Sequence, residues 1–265
     1  MKQVYLCHDT MIGIYSAFYD AWKESRNKNV GIALWGRTDQ ELFCEYHEVE
    51  ESRKKEQAIE KMMRKNLGAE AYRQIYYALL SDDAHKAEAV FKILQEAREL
   101  RDSTRIMEHL SSENVAKVFA LGRSVANEAH LFTEFIRFRE LEGGILFSEI
   151  TPKNQVLTCI GDHFSDRFPL ENFMIYDKTH QVCLVHRTGD IWRLVWGGSV
   201  NTQASQRVSG AELEYQRLWK NFFSSIAIEE RRNPTCQRTH LPLRYRGDMV
   251  EFEEKRKEKF NGLSL

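Results

Sequence analysis

The sequence has few of the motifs that bind metals or cofactors. Its five cysteines are scattered, with no CxxC pair and no Cys/His spacing of a zinc site. A structural zinc or an iron–sulfur cluster is therefore not expected, and a reducing compartment is favoured. No glycine fingerprint follows a strand-like run, and the lysine–serine chemistry of a phosphate-binding loop is also missing. These absences predict a protein with no cofactor and no stoichiometric transition metal.

The sequence also lacks long apolar runs and a strong charge of one sign. No segment is apolar enough to span a bilayer, and the N-terminus does not combine a basic region with an apolar run. We therefore expect a soluble, cytoplasmic protein that makes no contact with a membrane. The formal net charge of −1 argues against binding nucleic acid through bulk charge. Any binding of nucleic acid must then depend on a local basic patch.

The order of periodic segments predicts an α+β fold. Three β-rich runs, 173–176, 182–187 and 191–196, are joined by loops too short for crossover helices, which indicates an antiparallel meander. We predict an antiparallel sheet packed against a large helical layer that includes one long central helix. Three regions are expected: a strand–helix–strand segment (1–50) packed on the main body, a main α+β domain (51–248), and a charged tail (249–265).

The long central helix is predicted over residues 112–141 and has two different faces at 100° per residue. Its apolar face carries Val118, Leu121, Val125, Ala129, Phe132 and Ile136. Its polar face carries Arg123, Asn127, His130, Glu134 and Arg137. His130 and Glu134 are four residues apart and can touch, so they are candidates for a catalytic acid–base pair, although solvated surface pairs look the same. Arg139, on the apolar side, is expected to reach a carboxylate or to extend into solvent.

A second informative element is the segment 224–245 near the C-terminus. It follows a helix that a capping box at Ser209 and Glu212 should open, and that carries an apolar stripe. The stripe consists of Tyr215, Leu218, Trp219, Phe222 and Ile226. The segment itself contains Pro234 and Pro242, which are expected to keep it out of a helix or strand.

The arginines of this segment indicate anion binding, because a guanidinium group satisfies phosphate or carboxylate oxygens two at a time. We predict a phosphate or nucleic-acid surface in which arginines of the polar helix face take part. Its residues are Arg123, Arg137, Arg231, Arg232, Gln237, Arg238, His240, Arg244 and Tyr245. The alternative is a C-terminal strap whose arginines pair with surface Glu and Asp.

Two motifs carry a resemblance to a known family. The first comprises Glu128, Ala129 and His130, followed by Phe135, Arg137, Phe138, Glu140 and Leu141. The second comprises Ile228, Arg231, Asn233, Pro234, Gln237, Pro242, Arg244 and Tyr245. Together they resemble a bacterial family of DNA metabolism or repair proteins whose recurring domain carries a label of unknown function. The resemblance runs from the central helices to Tyr245, with the elements in the same order.

The resemblance implies a role in DNA modification or repair. Members of this family are encoded beside a radical S-adenosylmethionine (radical SAM) protein, and a similar domain is fused to uracil-DNA glycosylase-like enzymes. No reaction is implied for the domain itself. One position departs from the family pattern: Arg246 stands where many relatives have an aromatic residue after the tyrosine.

Three functions remain open from the sequence. The first is a DNA-binding accessory protein that acts with a radical SAM or glycosylase-type partner through its C-terminal arginines. The second is an enzyme acting on a nucleotide or nucleic acid, with His130 as acid or base and Glu134 orienting it. The third is a protein-interaction module whose arginines meet an acidic partner without touching DNA.

Overall fold

The computed structural model describes residues 1–24, 29–38, 42–197 and 205–252. Most of the predicted charged tail lies outside these residues. The chain divides into two compact units, Met1–Asn127 and Glu128–Leu265. The N-terminal strands, predicted as a segment packed on the main body, share one hydrophobic core with the helices that follow them. The second unit has a core of its own.

The first unit contains a parallel sheet of three strands in the order β2-β1-β3. These are β1 (Lys2–Cys7), β2 (Val30–Leu34) and β3 (Cys44–Glu48), and both neighbours of β1 run parallel to it. Helix α1 (Met11–Trp22) follows β1 and is capped by Thr10, whose hydroxyl accepts a hydrogen bond from the Gly13 amide at 2.9 Å. The helix carries the chain from β1 towards β2, as a parallel pair requires.

The remaining elements of the first unit are helical. Helices α2 (Arg53–Leu79) and α3 (Lys86–Glu99) are followed by a 3₁₀ helix, Ser103–Glu108, and by the first part of α4 (Glu113–Phe135). Helix α2 is interrupted at Gly68, whose φ of 80° lies outside the helical region. The break falls at this residue because glycine adopts positive φ at little cost.

The second unit is built on a five-stranded sheet in the order β4-β5-β6-β7-β8. The strands are β4 (Arg139–Glu140), β5 (Leu146–Ile150), β6 (Phe173–Asp177), β7 (Val182–His186) and β8 (Arg193–Trp196). Strands β6 to β8 form the predicted antiparallel meander. Strands β5 and β6 are parallel and are joined through α5 (Leu157–Arg167). The α+β prediction is confirmed, with a parallel first sheet that the sequence did not indicate.

The C-terminal part of the second unit is helical. It contains α6 (Gly210–Ser225) and the seven-residue α7 (Pro234–His240). Three short 3₁₀ helices accompany them, Glu229–Arg231, Leu243–Asp248 and Val250–Phe252. Of the helices within the described ranges, none is both long and apolar enough to cross a membrane.

Helix α4 has the two faces that its periodicity predicts. Ala129 and Phe132 are buried in the core of the second unit, whereas His130 is exposed. The helix ends at Phe135, six residues before the predicted end. Arg139 consequently lies on strand β4, where its guanidinium reaches the Glu149 carboxylate at 2.9 Å. The carboxylate partner expected for Arg139 is thus present, but on a strand rather than on a helix.

Candidate nucleic-acid interface

The first family motif is anchored by a buried carboxylate, Glu128, which is only 3% exposed. Its oxygens accept hydrogen bonds from the backbone amides of Lys153 (3.0 Å) and Asn154 (2.8 Å), and from the Asn154 side-chain amide (2.6 Å). Arg244 completes the set with an ion pair at 3.2 Å. Glu128 therefore fastens α4 to the loop before α5 and to the C-terminal segment. Sequence reasoning gave Glu128 no role, although it is an acid beside the apolar face of α4.

Arg244 and Tyr245 are placed by this anchor. The Arg244 guanidinium lies 4.6 Å from the centre of the Tyr245 ring. Tyr245 is buried against Phe132 and Phe135, with ring centres 5.0 and 5.6 Å away, and burial raises the pKa of its phenol. Both residues, predicted as part of a phosphate surface, thus make contacts that hold the second unit together. The Arg244 side chain is nevertheless half exposed.

Other arginines of the segment converge on one concave surface, which we call the arginine cavity. It has a volume of about 540 Å³ and is lined by the polar side chains of Arg231, Arg232, Gln237, His240 and Arg246. Four of these five residues are predicted from the sequence. Arg246 is not among the residues predicted to bind phosphate, since the sequence shows it only as a departure from the family pattern.

Helix α7 supports the arginine cavity and corrects one expectation. Pro234 occupies the first turn of α7, where its missing amide hydrogen costs nothing, and Asn233 caps the helix through a 3.0 Å hydrogen bond from the Cys236 amide. The proline therefore starts a helix rather than preventing one. At the other end of α7, Arg246 donates to the carbonyls of Gln237 (3.0 Å) and Leu241 (2.9 Å). These bonds hold the Arg246 side chain at the cavity wall.

The cavity arginines differ in how far they are already paired. Within the described ranges, neither Arg231 nor His240 has a side-chain hydrogen bond or ion pair, and both are exposed. Arg238 instead donates to the Pro234 carbonyl of its own helix at 3.1 Å and does not line the cavity. An exposed guanidinium without an acidic partner keeps its donors available for an anion.

The remaining predicted residues lie elsewhere. Arg137 pairs with Glu251 at 3.3 Å, away from the arginine cavity. Arg123 is exposed on α4 in the first unit. His130 and Glu134 touch as predicted, with His130 Nε2 3.1 Å from Glu134 Oε1, but their side chains are 73% and 48% exposed. Neither lines the arginine cavity or the larger cavity described next.

The larger cavity of the second unit, which we call the aromatic cavity, has a volume of about 770 Å³. Tyr215 and Trp219 of α6 form one wall. The polar lining includes Arg137, Arg139, Glu149, Glu212 and Gln216. Glu212 accepts hydrogen bonds from the Glu140 amide (3.2 Å) and from Gln216 (2.7 Å), which fixes α6 against strand β4. The cavity is thus lined both by flat rings and by hydrogen-bonding groups.

The apolar stripe predicted for α6 is not buried. Tyr215, Leu218, Trp219, Phe222 and Ile226 are between 41% and 68% exposed, and none of the described residues of α6 is buried. The helix is held through a different edge, by Glu212 and by Phe223, whose ring lies 5.7 Å from that of Phe252. The stripe therefore faces solvent. Exposed apolar surface of this kind marks interaction sites more often than chance.

A cluster of charged residues in the first unit is fully engaged. Lys86 is 1% exposed, and its ammonium group lies 2.6 Å from the Asp9 carboxylate and donates to the Ser81 carbonyl at 2.6 Å. Arg37 pairs with both Asp9 and Asp82. Burial lowers the pKa of Lys86, while Asp9 acts in the opposite direction. Each charge has a partner, so this cluster has a structural role.

No group of three or more His, Cys, Asp or Glu side chains is arranged to hold a metal ion in the part of the chain that the structure describes. The arginine cavity and the aromatic cavity are both lined by guanidinium groups and aromatic side chains.

Comparison with protein families identifies the chain. A model of the DUF4130 domain, described as a domain of unknown function, matches residues 84–251, which is more than half of the sequence. The chain belongs to the DUF4130 family. The match covers Glu128, Arg244 and the lining residues of both cavities except Phe252, so the DUF4130 domain supplies nearly all of the candidate interface. No curated protein matches the chain.

Thiol reactivity offers a direct check of this DUF4130 structure. Burial raises the pKa of Cys7 to about 12 and that of Cys183 to about 11, whereas Cys236 on α7 is exposed. Since the thiolate is the reactive form, iodoacetamide at pH 8 should alkylate Cys236 and leave Cys7 and Cys183 unmodified until the protein unfolds. Mass spectrometry of peptides labelled under native and denaturing conditions measures this. Rapid native labelling of Cys183 would contradict the packing of β7.

Proposed function

We propose that this protein binds DNA through the arginine cavity and acts as an accessory protein in DNA repair or modification. The observation that carries the proposal is the convergence of Arg231, Arg232 and Arg246 on one concave surface in a chain of nearly zero net charge. A local group of arginines can bind phosphates even where the overall charge gives no attraction.

The geometry favours positioning of the phosphate backbone over catalysis. Gln237 and His240 add hydrogen-bonding groups beside the arginines, and Arg231 has no acidic partner within the described ranges. His130 and Glu134, the candidate acid–base pair, form an exposed i,i+4 contact outside both cavities. A general acid or base must reach the bound substrate, so a partner enzyme carries out the reaction. By the family resemblance, this partner is a radical SAM or a glycosylase-type protein.

The test is the salt dependence of DNA binding. With about three arginines on phosphates, the logarithm of the association constant should fall against the logarithm of salt concentration with a slope between about −2 and −3. Fluorescence anisotropy of a labelled oligonucleotide at several salt concentrations measures the slope. Affinity that does not change with salt, or no binding at low salt, would remove the basis for the proposal.

A second function, a protein-interaction module, is favoured by one observation, the exposed apolar stripe of α6. Leu218 of this stripe is exposed and lies outside both cavities, so it is available to the partner enzyme while the arginine cavity binds DNA. Co-purification of the tagged protein with the products of neighbouring genes tests this function. A partner that co-purifies with the Arg231→Ala variant but not with the Leu218→Asp variant would show that the stripe binds this partner. It would also show that the protein contact is separate from DNA binding.

A further inference from the structure

We infer that the nucleic acid bound by the second unit is single-stranded, and that one of its unpaired bases stacks against Tyr215 and Trp219 in the aromatic cavity. This inference rests on the proposed function, since it names the form of nucleic acid that the same unit binds. It adds a second site, on α6, to the arginine cavity.

The exposed rings of α6 provide the stacking surface. Tyr215 and Trp219 are four residues apart on one side of the helix and both line the aromatic cavity. Phe222 extends the surface, with its ring centre 5.9 Å from that of Trp219. Aromatic side chains on the surface of single-strand-binding proteins stack on bases whatever their sequence, because every base has a π face. Bases in a duplex are paired and stacked on each other, so their faces are not available to such a wall.

The polar lining of the aromatic cavity suits the edge of a base. Arg139 and Gln216 carry donors, and Glu149 and Glu212 carry acceptors, so the complementary groups of a base edge can be matched. Arg139 pairs with Glu149, but its Nε atom is buried and has no hydrogen-bond partner among the described residues. A buried donor without a partner is costly. A small shift of the Arg139 side chain on binding would allow a base to accept a hydrogen bond from Nε.

The two cavities share helix α6. Helix α6 contributes Trp219 to the aromatic cavity and Phe223 to the arginine cavity. Four residues of helix correspond to about 6 Å along its axis. Stacked nucleotides are spaced by about 3.4 Å, so two nucleotide spacings match the stretch of α6 that joins the two cavities. The volume of about 770 Å³ is within the range of small-molecule sites and accommodates a nucleotide.

The experiment compares a labelled single-stranded oligonucleotide with the duplex of the same sequence by fluorescence anisotropy at low salt. The unmodified protein should bind the single strand more tightly. Trp219→Ala should weaken binding of the single strand by about 5- to 150-fold, which corresponds to the loss of one base–aromatic stack, and should leave duplex binding unchanged. Trp219→Phe should restore most of the affinity because the ring is retained.

Trp196→Ala is the matched control. Trp196 lies on β8 of the same unit, is 68% exposed and does not line either cavity, so its removal should not change binding. Equal loss from Trp219→Ala and Trp196→Ala would overturn the inference, as would equal affinity for single strand and duplex. If Arg231→Ala still weakens the binding of both the single strand and the duplex in that case, the proposed function stands and only the inference fails. If no nucleic acid binds at all, both fail.

Discussion

Phe132→Ala should lower the free energy of unfolding by about 3 to 5 kcal/mol. Phe132 is 5% exposed in the core of the second unit and makes an edge-to-face contact with Tyr245 at 5.0 Å. Removing the ring loses the transfer free energy of a large apolar side chain and leaves a cavity that the surrounding structure fills only in part. Urea denaturation followed by circular dichroism measures the change.

The control for this prediction lies two residues away on α4. The His130 side chain is 73% exposed, and its contact with Glu134 is a surface pair. His130→Ala should therefore change the free energy of unfolding by much less than Phe132→Ala. Similar losses from the two substitutions would mean that the polar face of α4 is structural and that the two-faced helix is wrong.

Glu128→Ala should lower the free energy of unfolding by about 3 kcal/mol. The substitution leaves the backbone amides of Lys153 and Asn154 without their acceptor, and an unpaired buried donor costs about 1 to 3 kcal/mol. It also removes the ion pair to Arg244, which joins the C-terminal segment to α4. Thermal and urea unfolding of the purified variant are the appropriate measurements.

Glu134→Ala is the matched control for Glu128→Ala, because Glu134 is an acid on the same helix with a side chain that is 48% exposed. Glu128→Gln should fall between them, since an amide keeps one acceptor oxygen but replaces the other by a donor. Unfolding free energies that are the same for Glu128→Ala and Glu134→Ala would show that the Glu128 anchor does not stabilise the second unit.

Local periodicity explains which parts of the fold were predictable. The three β-rich runs and the short loops between them predict the antiparallel meander of β6 to β8. The two faces of α4 follow in the same way from a 3.6-residue repeat. Pairing between strands that are distant in sequence leaves no local pattern. The parallel pairing of β1 with β2 and β3 was therefore not predictable from the sequence.

The candidate site was predictable only in part. Arg231, Arg232, Gln237 and His240 are close in sequence and line one cavity, whereas Arg244 pairs with Glu128, a residue more than 100 positions away. That contact is tertiary and leaves no local signal. The stripe of α6 has the period of a buried face, but period does not show whether another element covers it. Its exposure could be learned only from the structure.

The central claim, that the arginine cavity binds phosphate, is tested most directly by the salt dependence of single variants. Arg231→Ala should reduce the magnitude of the salt slope by about 0.7 to 0.9, the contribution of one phosphate contact. Arg193→Ala should leave the slope unchanged, because Arg193 is an exposed arginine of β8 that pairs with Asp190 and lies outside the cavity. A phosphate site in the arginine cavity would be contradicted if Arg231→Ala had the same salt slope as the unmodified protein. It would also be contradicted if Arg231→Ala and Arg193→Ala reduced the magnitude of the slope equally.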